Sequence, residues 1–131
     1  MRCVMIILAL LLSASAADSD LAGRYAGDWK SNGGGGNGTI RLSLEPASGG
    51  AWKCEVSFAL AGADVKTTMR EVKVDQSKLE AAYDFDLMGN VLRSRIKGEL
   101  KGNVLEGSYQ TTTVDGGTAV DDGLWKASRE K

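Results

Sequence analysis

The chain has 131 residues, 16 of them basic and 17 acidic, with 17 glycines, one proline, two cysteines and no histidine. This balance gives no basic face for nucleic acid. The lack of histidine removes the usual general base and the commonest metal ligand, so the expectation is a protein that is neither an enzyme nor dependent on a cofactor.

Met1-Arg2-Cys3 carries one positive charge, Val4 to Leu12 is an unbroken apolar run, and Ser13-Ala14-Ser15-Ala16-Ala17 is a string of small residues. These are the three regions of a secretory signal, and the apolar run is too short to span a bilayer as a stable helix. Residues 1–16 are therefore expected to be removed, with cleavage after Ala17 the close alternative, leaving a secreted or periplasmic protein without membrane insertion. Loss of Arg2 and Cys3 moves the net charge from −1 to −2 and leaves Cys54 as the one mature cysteine, so no internal disulfide is possible. Cys54 sits in an alternating apolar stretch and reads as a small buried hydrophobe.

Residues 17–22 form a polar leader, and residues 23–131 form one domain of about 110 residues, large enough to hold a core unaided. Within it, apolar and polar residues alternate at period two, the signature of half-buried strands. Thr39 to Glu45 puts Ile40, Leu42 and Leu44 on one face; Ala51 to Leu60 puts Trp52, Cys54, Val56, Phe58 and Leu60 there. The pattern predicts eight strands: Gly23 to Lys30, Thr39 to Glu45, Ala51 to Ala61, Val65 to Val74, Lys78 to Leu87, Val91 to Leu100, Val104 to Val114 and Gly123 to Arg129. In the fourth, the apolar phase slips near Arg70 and Glu71, which predicts a β-bulge. The loop Gly33-Gly34-Gly35-Gly36 lacks the lysine and helix of a phosphate cradle and reads as a plain connection. Asp115, Asp121 and Asp122 are oxygen donors of the kind calcium takes, but their spacing matches no ordered calcium loop.

Gly89-Asn90-Val91-Leu92 recurs 13 residues later as Gly102-Asn103-Val104-Leu105. If each Gly-Asn is a two-residue hairpin turn, the registers follow by arithmetic. Phe85 then faces Ser94, Tyr83 faces Ile96, and Ala81 faces Gly98; across the second turn Gly98 faces Gly107, Ile96 faces Tyr109, and Ser94 faces Thr111. On the other face Asp86 meets Arg93 and Asp84 meets Arg95, while Glu99 meets both Glu80 and Glu106, an unfavourable contact. The charged outer faces do not suit a membrane barrel. An open meander would leave two long edges, so the expected architecture is all-β: a single antiparallel up-and-down meander closed as a small barrel, with a two-sheet sandwich as the alternative.

Gly27-Asp28-Trp29 on the first strand and Arg129 on the last resemble the calycin superfamily, the lipocalin and avidin type of barrel. The resemblance implies that Trp29 closes one end of the barrel beneath Arg129 in a cation–π contact. Ligand residues of those families do not map onto this chain. The inward face instead suggests a trough at Ala81, Gly98 and Gly107, flanked by Tyr83, Ile96 and Tyr109, with Phe85, Ser94 and Thr111 beyond. Tyr83, Phe85, Ser94, Gly98, Gly107, Tyr109 and Thr111 are thus the candidate ligand-binding residues, unless a large side chain from the opposite wall, Trp52 or Phe58, fills the space. The expected function is that of a monomeric binding module, either a carrier of a small, largely apolar ligand or a secreted protein-interaction module, such as an inhibitor or envelope component, with an unidentified protein partner.

Overall fold

The computed structural model describes residues 21–34 and 36–130; the expected signal of residues 1–16 lies outside them. Alternation becomes strand throughout: β1 (Gly23–Ser31), β2 (Asn37–Pro46), β3 (Trp52–Leu60), β4 (Ala63–Lys66), β5 (Thr68–Asp75), β6 (Lys78–Leu87), β7 (Asn90–Lys101), β8 (Val104–Thr113) and β9 (Ala119–Arg129), with one 3-10 turn at Ser48–Gly50. They form one antiparallel sheet in the order β4-β3-β2-β1-β9-β8-β7-β6-β5. The first and last strands pair, Tyr25 opposite Arg129 and Trp29 opposite Trp125, so the meander curls into a nearly closed barrel. Gly27 permits this pairing, because a Cβ there would run into the Lys126 carbonyl oxygen.

The expected fourth strand is divided. Its first part, β4, pairs with β3, and its second part, β5, pairs with β6. One extended segment thus changes partner at Thr67, which raises the strand count from eight to nine among the described residues and leaves the barrel incompletely sealed there. The Thr67 hydroxyl donates to the Val56 carbonyl at 2.5 Å and ties the corner to β3. The register of β5 shifts between Met69 and Glu71, where the phase slip indicated a bulge.

The second hairpin has the expected register: Lys101 faces Val104 and Gly98 faces Gly107, with Gly102 at positive φ. The first differs by two residues. Met88 and Gly89 both adopt left-handed φ, 54° and 85°, the requirement of a type I′ turn, so the loop is Met88-Gly89 and Leu87 faces Asn90. Phe85 therefore faces Leu92, Tyr83 faces Ser94, Ala81 faces Ile96 and Leu79 faces Gly98. A shift of two keeps every inward residue inward. On the outer face Asp84, not Asp86, meets Arg93, and Glu80 meets Lys97 instead of Glu99. Asp86 turns to the hairpin and accepts the Gly89 N–H at 2.9 Å. Asp84 is buried, holding Arg93 Nε at 2.7 Å and Arg70 Nε at 2.8 Å, so one carboxylate links three consecutive strands.

The end of the barrel at the start of β1 is packed solid. Leu21, Tyr25, Leu44, Leu79 and Leu105 are essentially inaccessible there, so the packed core begins inside the expected polar leader. The Tyr25 hydroxyl donates to the Leu21 carbonyl at 2.9 Å and accepts from Arg129 Nη2 at 3.0 Å. Arg129 lies over the Tyr25 ring, 5.5 Å from its centroid. The expected Trp29–Arg129 pair is thereby corrected: in the β1–β9 register Arg129 aligns with Tyr25, four residues from Trp29, which belongs to the other end.

Candidate functional site

At that other end the barrel is hollow. A cavity of about 500 Å³ opens between the β1–β2, β3–β4, β6–β7 and β8–β9 connections, within the usual range for small-molecule sites. Its walls come from nearly every strand: Trp29, Ile40, Phe58, Tyr83, Phe85, Leu92, Ser94, Ile96, Tyr109 and Thr111, with Leu60, Leu87 and residues 119–122 towards the mouth. The aromatic rings support one another by edge-to-face contact. Trp29 meets Phe58 and Tyr109 at centroid distances of 6.3 and 6.0 Å, and Phe58 meets Phe85 at 5.0 Å. Such pairs favour fixed ring orientations, so the wall is preorganised.

Trp125 forms the floor. Its indole N–H donates to the Ser108 carbonyl at 3.1 Å, and its six-membered ring lies over Gly98, where a Cβ would fall 2.6 Å from Cζ2 and 2.9 Å from Cη2. The expected trough at Ala81, Gly98 and Gly107 is therefore filled, by Trp125 rather than by Trp52 or Phe58. Gly98 and Gly107 do not line the cavity; Gly107 faces Trp125 across the β8–β9 ladder. The other five candidates, Tyr83, Phe85, Ser94, Tyr109 and Thr111, do converge on it.

Polar groups are few. Ser94 and Thr111 hydroxyls pair at 2.6 Å on the inner wall. Near the mouth Asp121 accepts from the Ser31 hydroxyl at 2.5 Å through Oδ1 and from the Tyr109 hydroxyl at 2.9 Å through Oδ2. Burial pushes the Tyr83 phenol up to about 12, against the opposing influence of the Ser94 hydroxyl. Tyr109 is raised too, first by burial and then by donating to Asp121, so both phenols are neutral at physiological pH. Burial, reinforced by Glu55, raises the Cys54 thiol to about 12. A thiol so protonated is a poor nucleophile. Among the described residues no three acidic or cysteine side chains gather in a way that would hold a metal ion.

Trp29 and Asp121 are two wall residues, besides Ile40, Phe58 and Leu92, that the alternation pattern did not assign to a site. Trp29 was expected at the closed end, and Asp121 in a loop before a last strand starting at Gly123. Since β9 starts at Ala119, Asp121 shares the inward parity of Trp125 and Ala127; that parity was the available signal. The chain matches no protein-family model, no curated protein and no solved structure.

Proposed function

We propose that the protein is an exported, non-catalytic carrier of a small, largely apolar ligand held in the open end of the barrel. The observation that carries this reading is the division of the interior: packed to exclusion at one end, hollow and aromatic-walled at the other, with Trp125 between. An interior that served stability alone would gain by filling that space, because a void forfeits dispersion contacts on its whole lining. The pattern of residues 1–16 supports export. Native mass spectrometry of protein purified from its own source tests the reading. A bound mass that disappears in Ser94→Phe, which extends a ring into the cavity, is the expected result. Protein that is folded and ligand-free, and that takes up no apolar probe, would overturn it.

One observation favours a second reading, a protein-interaction module. Met88 is 96% exposed, and Val91 and Val114 are also well exposed. The last two are neighbours, since the Val114 N–H donates to the Val91 carbonyl at 3.2 Å. Together they form an apolar patch on the rim of the mouth, of the kind that partners cover.

A further inference from the structure

The up-and-down order brings four connecting segments to the mouth: residues 31–38, 60–64, 86–91 and 113–122. They contain Asp64, Asp86, Asp115, Asp121 and Asp122 and no lysine or arginine, the nearest cation in sequence being Lys30, exposed on β1 just before the first of them. At the closed end the signs are mixed, with Lys53, Lys78, Lys101 and Arg129 among Glu45, Asp75 and Glu99. The chain as a whole is near neutral, so the one-signed mouth is a matter of placement. A single-signed rim around a low-dielectric opening concentrates ions of the opposite sign at the entrance.

Asp121 carries that charge to the cavity wall. Its two oxygens each accept one hydrogen bond from the protein, and each retains acceptor capacity. Among the described residues no lysine or arginine lies within 4.0 Å of it; the ion pairs of the barrel engage other carboxylates. Beside it the Tyr109 and Trp29 rings stand at 90° to each other, and the Trp29 N–H is already spent on the Ala59 carbonyl at 3.0 Å. The faces of aromatic rings attract cations. A tie from β9 to β1 and β8 accounts for the Ser31 and Tyr109 hydrogen bonds, which go to different oxygens, so an asparagine, with a single oxygen, would keep only one of them in this geometry. The tie leaves each oxygen with acceptor capacity to spare, beneath connecting segments whose charged side chains are all aspartates.

We propose that the ligand is an organic monocation, an amine with an apolar body: the ammonium sits at Asp121 beside Trp29 and Tyr109, and the body lies inward against Phe85 and Ile96. This rests on the reading of the cavity as a ligand site and adds the ligand's charge. A neutral lipid would offer the Asp121 carboxylate no opposite charge, and an anion would be repelled by it.

The test uses three probes with the same apolar body, decylamine, decanol and decanoate, titrated into the intact protein at neutral pH and followed by tryptophan fluorescence. Decylamine should bind about 10-fold or more tighter than decanol, the scale of a charge-assisted hydrogen bond, with decanoate weakest. Asp121→Asn should bring decylamine to the level of decanol on the same variant, whose circular dichroism reports that it is folded. If Asp121→Asn loses decanol as well, the order of the three probes on the unaltered protein decides alone. Decanol or decanoate binding as tightly as decylamine would overturn the cation while leaving the cavity as a site. Failure of all three to bind would overturn the cavity reading together with it.

Discussion

Replacing Gly98 by alanine tests the floor of the cavity with the smallest possible change. The new Cβ would lie 2.6 Å from Trp125 Cζ2, whereas carbon atoms settle at about 3.5 to 4.0 Å, so the ring must move by roughly 1 Å. Trp125 is 2% exposed and its N–H is held by Ser108, which leaves it little freedom to retreat. Overpacking of this kind costs about 1 to 3 kcal/mol. Gly98 has no left-handed φ, so alanine also restricts the unfolded chain, a gain of about 0.4 to 1 kcal/mol. The clash outweighs that gain, and a net loss of about 0.5 to 2 kcal/mol is expected in urea unfolding followed by tryptophan fluorescence. Near-UV circular dichroism should change in the folded state as the indole shifts. In a Trp125→Phe background the smaller ring leaves room, so the same substitution should cost less, with a coupling of at least about 0.5 kcal/mol. A stable Gly98→Ala with an unaltered aromatic spectrum, or equal costs in both backgrounds, would mean that Trp125 does not cover Gly98 and that the trough is open.

Two further outcomes follow from charge states. The hydrogen bond from Arg93, aided by Arg70, holds the Asp84 carboxyl below its ordinary value of about 3.9. A lowered folded-state pKa means that the stabilisation is complete above that ordinary value and is lost as pH falls through the lowered one; acid unfolding should therefore begin below about pH 4, and Asp84→Asn should flatten that limb, whereas an identical pH profile in the variant would refute the role of Asp84. For Cys54, a thiol raised to about 12 should stay unreactive towards a disulfide reagent at pH 8 in the folded protein and react fully in denaturant; rapid labelling of folded protein would contradict its burial.

The fold was legible because its strands report their faces through parity, and parity survives errors that register does not. Both hairpins carry a Gly-Asn pair, yet one turn uses Gly89 as its second central residue, with Asn90 already in the strand, and the other uses Gly102 as its first. The dipeptide alone does not distinguish these options. The charges favoured one of them: the Gly-Asn register placed Glu99 against Glu80, whereas the observed one gives Glu80 a lysine and keeps an arginine opposite Asp84. The change of partner at Thr67 was not legible, since a period-two pattern tells which face a residue takes and not which strand lies beside it. Trp125 was hidden for a related reason. Its position over Gly98 depends on the β8–β9 register, and the long loop between those strands, followed by a shift between Thr111 and Thr112, leaves no arithmetic from sequence to partner.

The site is less legible than the barrel because a cavity is defined by what does not fill it. Inward residues of similar size line both ends: Leu44, Leu79 and Leu105 meet and exclude all space, while Leu92 and Ile96 border a hollow. The difference lies in what stands across the interior from them. At the closed end Tyr25 points to Leu21, a residue ahead of the first strand that plugs the opening, and Arg129 covers the ring. At the open end no comparable plug among the described residues fills the cavity; the connections there are glycine-rich or short, and their only charged side chains are aspartates. The packed end, the Asp84 cluster and the β1–β9 ladder then supply the stability that the hollow end gives up, so the aromatic wall around Asp121 need not close into a core.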